Sequence, residues 1–116
     1  MADTSVYFNP SCSKCRTAQG ILQERGLDAD YIQYLDTPPT LADLRRLMGL
    51  LGIEDPRAMM RRGEAVYDEL RLDDADDEQL LAAIVQHPIL LERPIVVRGD
   101  RAVIARPPER VLELLT

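Results

Sequence analysis

The sequence predicts a mixed α/β fold on a four-stranded sheet, and three observations carry that prediction. The first third reads strand, helix, strand, which is a βαβ unit. The last third holds two short apolar runs around a Gly-Asp turn, which is a hairpin, followed by a closing helix. The composition, with 46% hydrophobic and 29% charged residues in 116, suits one folded core and excludes a disordered chain. A single domain over residues 1–116 is expected, with a helical insertion at about 40–88 between the two sheet halves.

Ser5-Val6-Tyr7-Phe8 consists of strand formers and stops at the turn pair Asn9-Pro10. Beyond Cys12, Ala18, Ile21 and Leu22 recur at helical spacing and Gly26 suits a left-handed stop, predicting a helix from Ser13 to Arg25 with Cys12 at its N-terminus. Asp30 to Leu35 reads as the second strand, closed by Asp36-Thr37-Pro38-Pro39. Thr40 with Asp43 forms a capping box for a helix whose stripe of Leu41, Leu44, Leu47, Met48 and Leu51 ends at Gly52. From Ile53 to Leu72, Asp55-Pro56 starts another helical turn, Gly63 breaks it, and Val66 to Leu70 adds one more.

The acidic run Asp73, Asp74, Asp76, Asp77 and Glu78 reads as charge at a helix start rather than a metal site. Asp76 with Gln79 fits a second capping box, ahead of an apolar face of Leu80, Leu81, Ile84 and Val85. His87-Pro88 ends that helix, which makes His87 a capping or packing residue rather than a catalytic base. Pro94 to Val97 and Ala102 to Ile104 flank Arg98-Gly99-Asp100-Arg101, whose Arg-Gly-Asp serves turn geometry. Pro107-Pro108 then opens a closing helix with Val111, Leu112 and Leu115. The order gives a thioredoxin-like layout, a mixed four-stranded sheet with flanking helices.

Twenty acidic against fourteen basic residues leave a net charge of −6 and a pI near 4.7, which disfavours a nucleic-acid partner. No apolar stretch approaches the roughly 20 residues that cross a bilayer. Met1 to Ser5 holds no basic cluster or apolar core, so the cytoplasm is the expected compartment. Lys14 is the only lysine, and the arginine excess suits either oxyanion recognition or a G+C-rich codon bias.

Two cysteines, Cys12 and Cys15, and one histidine are too few and too far apart for a zinc site, so no metal is expected. Redox or nucleophilic chemistry remains. A thiol with a pKa of about 8.5 is only about 3% ionised at pH 7, whereas lowering it by ~2 units makes most of it thiolate. The unpaired N–H groups of a helix start favour that anion at Cys12. Arg16, one turn inside the helix, is the expected local guanidinium, with Lys14 a weaker cation.

Asn9-Pro10-Ser11-Cys12-Ser13-Lys14-Cys15-Arg16, Gln86 to Val97 with its Arg93-Pro94-Ile95, and Arg106-Pro107 together resemble the glutaredoxin-dependent arsenate reductase family, a thioredoxin-fold branch related to Spx-type proteins. The likeness spans essentially the whole chain. It implies that Cys12 is the catalytic cysteine, that Arg61 (or Arg62, one register away), Arg93 and Arg106 bind the oxyanion, and that Pro94 is the cis-proline opposite the cysteine loop. Paired planar donors that never titrate suit a tetrahedral oxyanion. Arg45, Arg46, Arg57, Arg71 and Arg110, in helical segments, read as surface residues.

The resemblance further implies arsenate as substrate, no tightly bound cofactor, glutathione as cosubstrate, and glutaredoxin, or thioredoxin in its place, as partner. Cys12 thiolate attacks arsenic(V), water leaves, and a second thiol reduces the adduct. The chain departs from the family at Phe8, where His is common, and at Cys15, where a serine-like residue is common. Cys15 is either a resolving thiol that closes a disulfide with Cys12 or an inert thiol on the buried helix face. Two other functions fit the residues: a generic thiol–disulfide oxidoreductase using Cys12 and Cys15, and an Spx-type redox-sensing regulator. Ala105-Arg106-Pro107-Pro108 favours the reductase over the regulator.

Overall fold

Strand β1 (Thr4–Phe8) is the pivot of the sheet. It pairs in parallel with β2 (Ala29–Gln33) on one side and antiparallel with β3 (Ile95–Arg98) on the other, and β3 pairs antiparallel with β4 (Arg101–Ile104), giving the order β2-β1-β3-β4. The computed structural model describes residues 3–115. Its contacts form two compact units, residues 3–37 with 93–115, and Pro38–Glu92. The second unit contains the helical segment expected at about 40–88.

In the first unit the central β1 is nearly continuously buried, whereas the edge strand β2 is mostly half-buried or exposed. Helix α1 (Ser13–Glu24) turns Cys15, Ala18 and Leu22 inward, a stripe at three- and four-residue spacing. It stops where Gly26 takes φ +69° and the N–H of Leu27 donates to the Leu22 carbonyl at 3.0 Å, a Schellman closure. Val6, Phe8, Val96 and Val103 share one core cluster with Cys15 and Leu22.

Two expectations for this unit are corrected. Strand β2 ends at Gln33 rather than Leu35, because the Gln33 carbonyl accepts the N–H groups of Asp36 and Thr37 at 3.0 and 2.9 Å and turns the chain out of the ladder. That turn buries Tyr34 completely. The closing segment Pro108–Leu115 is a 3₁₀ helix rather than an α-helix. Its buried Val111 and Leu114, three residues apart, fall on one edge of a three-per-turn helix and pack against α1 and β4.

The second unit holds α2 (Leu41–Leu51), α3 (Ala65–Glu69) and α4 (Asp77–Gln86), with short 3₁₀ turns at Pro56–Met59, Leu72–Asp74 and Pro88–Leu90. Both capping boxes form reciprocally, Thr40 with Asp43 and Asp76 with Gln79. Each leaves two backbone donors of a helix start satisfied by neighbours three residues away. His87 is the C-terminal cap of α4, its N–H donating to the Ala83 carbonyl at 2.7 Å. On α4, Ala83 is buried and Val85 only partly so, a shift of the inward face from the one expected.

Arg57 is not a surface arginine. Its Nη2 donates to the carbonyls of Leu72, Asp73 and Ala75 at 2.7, 3.2 and 2.8 Å, and its Nη1 lies 3.4 Å from Asp55. One guanidinium thereby satisfies three main-chain acceptors of a turn that carries no regular ladder. Nearby, the Arg61 N–H donates to the Leu90 carbonyl at 2.6 Å and the Glu92 N–H to the Met59 carbonyl at 2.8 Å, around an isolated bridge between Met60 and Leu91.

Candidate active site

The cysteine loop is built by Asn9. Its side-chain Oδ1 accepts the Ser11 N–H at 2.9 Å and its carbonyl accepts the Cys12 N–H at 3.0 Å, so the chain leaves β1 in a tight turn. Cys12 has extended backbone angles and is the N-cap of α1, its carbonyl accepting the first helical bond from the Arg16 N–H at 3.1 Å. Its sulfur is half-buried at the mouth of the helix. One turn on, Cys15 is fully buried, and both cysteines are free thiols.

Burial alone would raise the Cys12 pKa, yet it falls from 9.0 to about 7. The backbone N–H of Cys15, a hydrogen bond from the Arg93 guanidinium, one from the Cys15 thiol and the backbone N–H of Lys14 outweigh the desolvation. About half of Cys12 is therefore thiolate at pH 7. Cys15 goes the other way. Burial pushes its thiol up to about 11, against the pull of the Asn9 backbone, and the neighbouring Cys12 sulfur raises it further. The loop separates one reactive anion from one protonated thiol.

Arg16, expected to supply the cation, is exposed on α1, and the guanidinium that meets the sulfur is that of Arg93. Lys14 acts through its main chain, its side chain being exposed. Arg93 precedes β3 through a cis peptide to Pro94, the position at which the cis-proline is expected. Burial works against its charge, but contact with Cys12 and with the buried Tyr34 phenol outweighs this and raises its pKa. Its Nε is buried with no hydrogen-bond partner among the described residues. Arg106, also followed by a cis-proline, donates from Nε to the Arg93 carbonyl at 2.7 Å. Cys12, Cys15, Arg93 and Arg106 thus gather in the first unit.

Arg61 and Arg62 lie in the second unit. Arg61 is half-buried and its Nε pairs with Glu64 at 3.0 Å, while exposed Arg62 pairs with Asp73 at 3.1 Å and stacks over the Tyr67 ring at 5.8 Å. Sequence reasoning missed Tyr34 and the anchoring part of Asn9. The Asn-Pro pair did signal a turn, and an Asx acceptor three residues before a helix cap is the readable form of it. For Tyr34 no periodic signal exists, since the ladder ends just before it. Among the described residues no group of three or more His, Cys, Asp or Glu could hold a metal, and no helix is long and apolar enough to cross a membrane.

Residues 7–114 match the ArsC family. The chain belongs to that family. Similar ArsC relatives include the arsenate reductase of Neisseria meningitidis serogroup A, 44% identical over 99% of this chain and all of the relative. The arsenate reductase of Escherichia coli K12 is 38% identical over 99% of this chain and 82% of its own length. Among solved structures, the arsenate reductase from Vibrio cholerae superposes with a TM-score of 0.92 at 46% identity, covering 95% of each chain. The ArsC relationship accounts for the thioredoxin-like sheet, and the Arg93 guanidinium, its carbonyl held by Arg106, meets the sulfur of the cysteine loop.

Proposed function

We propose that the protein is an arsenate reductase in which the Cys12 thiolate is the nucleophile and Arg93 and Arg106 bind the oxyanion. The observation that carries this reading is the Arg93 guanidinium, which hydrogen-bonds the Cys12 sulfur while its buried Nε–H has no acceptor among the described residues. Buried donors are rarely left unmatched, and an oxyanion oxygen beside the sulfur is an acceptor of the right charge. Family membership and the names of the relatives support arsenate as that oxyanion.

In the first step Cys12 sulfur forms a bond to arsenic(V) as one arsenate oxygen, taking up protons, leaves as water. Arg93 offsets the repulsion between two anions, and its anchoring by Arg106 through the Arg93 carbonyl fixes where that charge stands. A second thiol supplies the remaining electrons, so that arsenic leaves as arsenite. Glutathione is the cosubstrate in this reading, glutaredoxin the partner that returns the enzyme to its thiol form, and no tightly bound cofactor takes part. Two free thiols in one loop suit the reducing cytoplasm as the working compartment.

The test is arsenite formation coupled to NADPH consumption, with arsenate varied and glutathione plus glutaredoxin compared with thioredoxin. Saturable, arsenate-dependent turnover is expected, and Cys12→Ser should lower it by about a thousandfold or more. No turnover with either reductant would overturn the reading and leave a generic thiol reductase or a redox regulator.

A further inference from the structure

Cys15 is a buried nucleophile that the reaction as described leaves unused. It sits in the first turn of α1, fully excluded from solvent, in the same core cluster as Val6, Phe8 and Leu22. A small apolar role would explain burial, but not its aim, because its thiol hydrogen-bonds the Cys12 sulfur rather than only packing against the core. The two sulfurs of the Cys-x-x-C are therefore already neighbours, one half-exposed and one hidden behind it.

We infer that Cys15 is the second thiol of the reaction, closing an intramolecular disulfide with Cys12 that expels arsenite without any external thiol in that step. The inference rests on the arsenate reductase reading and deepens it. Cys15 sulfur attacks Cys12 sulfur, its proton passing to an arsenic-bound oxygen, the S–S bond forms, and the S–As bond breaks with its electron pair going to arsenic. Arsenic falls from the +5 to the +3 state, and two thiols become one disulfide. Taken with the first step, two thiols and arsenic acid give a disulfide, arsenous acid and one water. An external thiol, glutathione or a dithiol protein, then reduces Cys12–Cys15 for the next cycle.

The loop also times the attack. Burial first, and then the charge and hydrogen bond of the Cys12 thiolate, hold the proton on Cys15 and keep it unreactive. Once Cys12 sulfur is bonded to arsenic, the sulfur is no longer an anion and the negative charge sits farther off on the arsenic-bound oxygens, whereas Arg93, which favours the Cys15 anion, remains. Cys15 becomes easier to ionise when its target has formed. The burial that keeps bulk solvent from Cys15 keeps stray oxidants and free thiols from it as well.

A single-turnover experiment decides the matter. Fully reduced, desalted wild-type protein is mixed with arsenate and no other thiol, and arsenite, free thiols and peptide masses are measured. About one arsenite per chain is expected, with both thiols lost and the Cys12 and Cys15 peptides linked within one chain. Cys15→Ser should release less than about a tenth as much arsenite in this format, yet regain turnover when glutathione is added. Wild-type protein that releases no arsenite alone but turns over with glutathione and glutaredoxin would overturn the inference while leaving the function intact. Cross-linking between two chains through Cys12 would overturn it equally. Failure to reduce arsenate under any thiol regime would instead overturn the functional reading beneath it.

Discussion

Arg93 of the first unit contrasts sharply with Arg57, Arg61 and Arg62 of the second in what its guanidinium faces. In the second unit Arg57 holds three carbonyls and an aspartate, Arg61 holds Glu64, and Arg62 holds Asp73 beneath the face of Tyr67. In the first, Arg93 faces a cysteine sulfur and a tyrosine phenol and keeps one buried donor without an acceptor among the described residues, with Arg106 fastened to its carbonyl. Residue type is the same throughout. A guanidinium whose donors meet fixed carboxylates and carbonyls stabilises the chain, whereas one aimed at a titratable thiol is set up for chemistry.

Removing Arg93 should have the largest effect on that contrast. Arg93→Ala takes a cation and a hydrogen bond from the Cys12 anion, so the midpoint of its alkylation by iodoacetamide should move from about 7 back toward 9.0. The arsenate concentration needed for half-maximal rate should rise roughly ten- to a hundredfold, as expected for one charge-assisted bond. An unchanged midpoint would place the guanidinium's influence elsewhere and break the comparison.

Arg61 and Arg62 sharpen it next. The family resemblance gives Arg61 the substrate role, although its Nε is engaged by Glu64. Arg61→Ala is expected to raise the arsenate requirement several-fold, with Arg62→Ala near wild type. The reverse order would move the functional position by one residue. Arg57→Ala should leave the arsenate requirement alone and lower the thermal midpoint by a few degrees, because three main-chain acceptors lose their donor together. A drop in arsenate affinity without a loss of stability would place Arg57 with the functional arginines instead.

What could be read from the sequence follows the range over which each feature is decided. Both capping boxes, the left-handed stops at Gly26 and Gly52 and the placement of Cys12 at a helix start are set by residues within five positions of one another, and each was legible. The cation beside Cys12 was not, because the nearest arginine in sequence, Arg16, is exposed on the helix while Arg93 arrives from the far end of the chain beside β1's partner strand. Arg57 was misread for the same reason, since its three acceptors lie fifteen and more residues away. The end of β2 turned on one carbonyl, that of Gln33, preferring two turn donors, a choice no side-chain alternation records.

The smallest effect in the series bears on the thiol pair, whose two members change stability with pH in opposite directions. From about pH 7 to 9 the native protein carries Cys12 as thiolate while the unfolded chain still holds the proton, so the unfolded state binds more protons and stability rises with pH. From 9 to about 11 the unfolded chain releases the Cys15 proton while the native protein retains it, so stability falls. The contribution of the pair should peak near pH 9 under reducing conditions. Urea midpoints across that range, compared with Cys12→Ser and Cys15→Ser, read each limb separately: the first variant should flatten the rise and the second the fall. A wild-type curve that rises through pH 9 without turning would mean that Cys15 ionises as readily folded as unfolded, and the division of the loop into one anion and one protonated thiol would not hold.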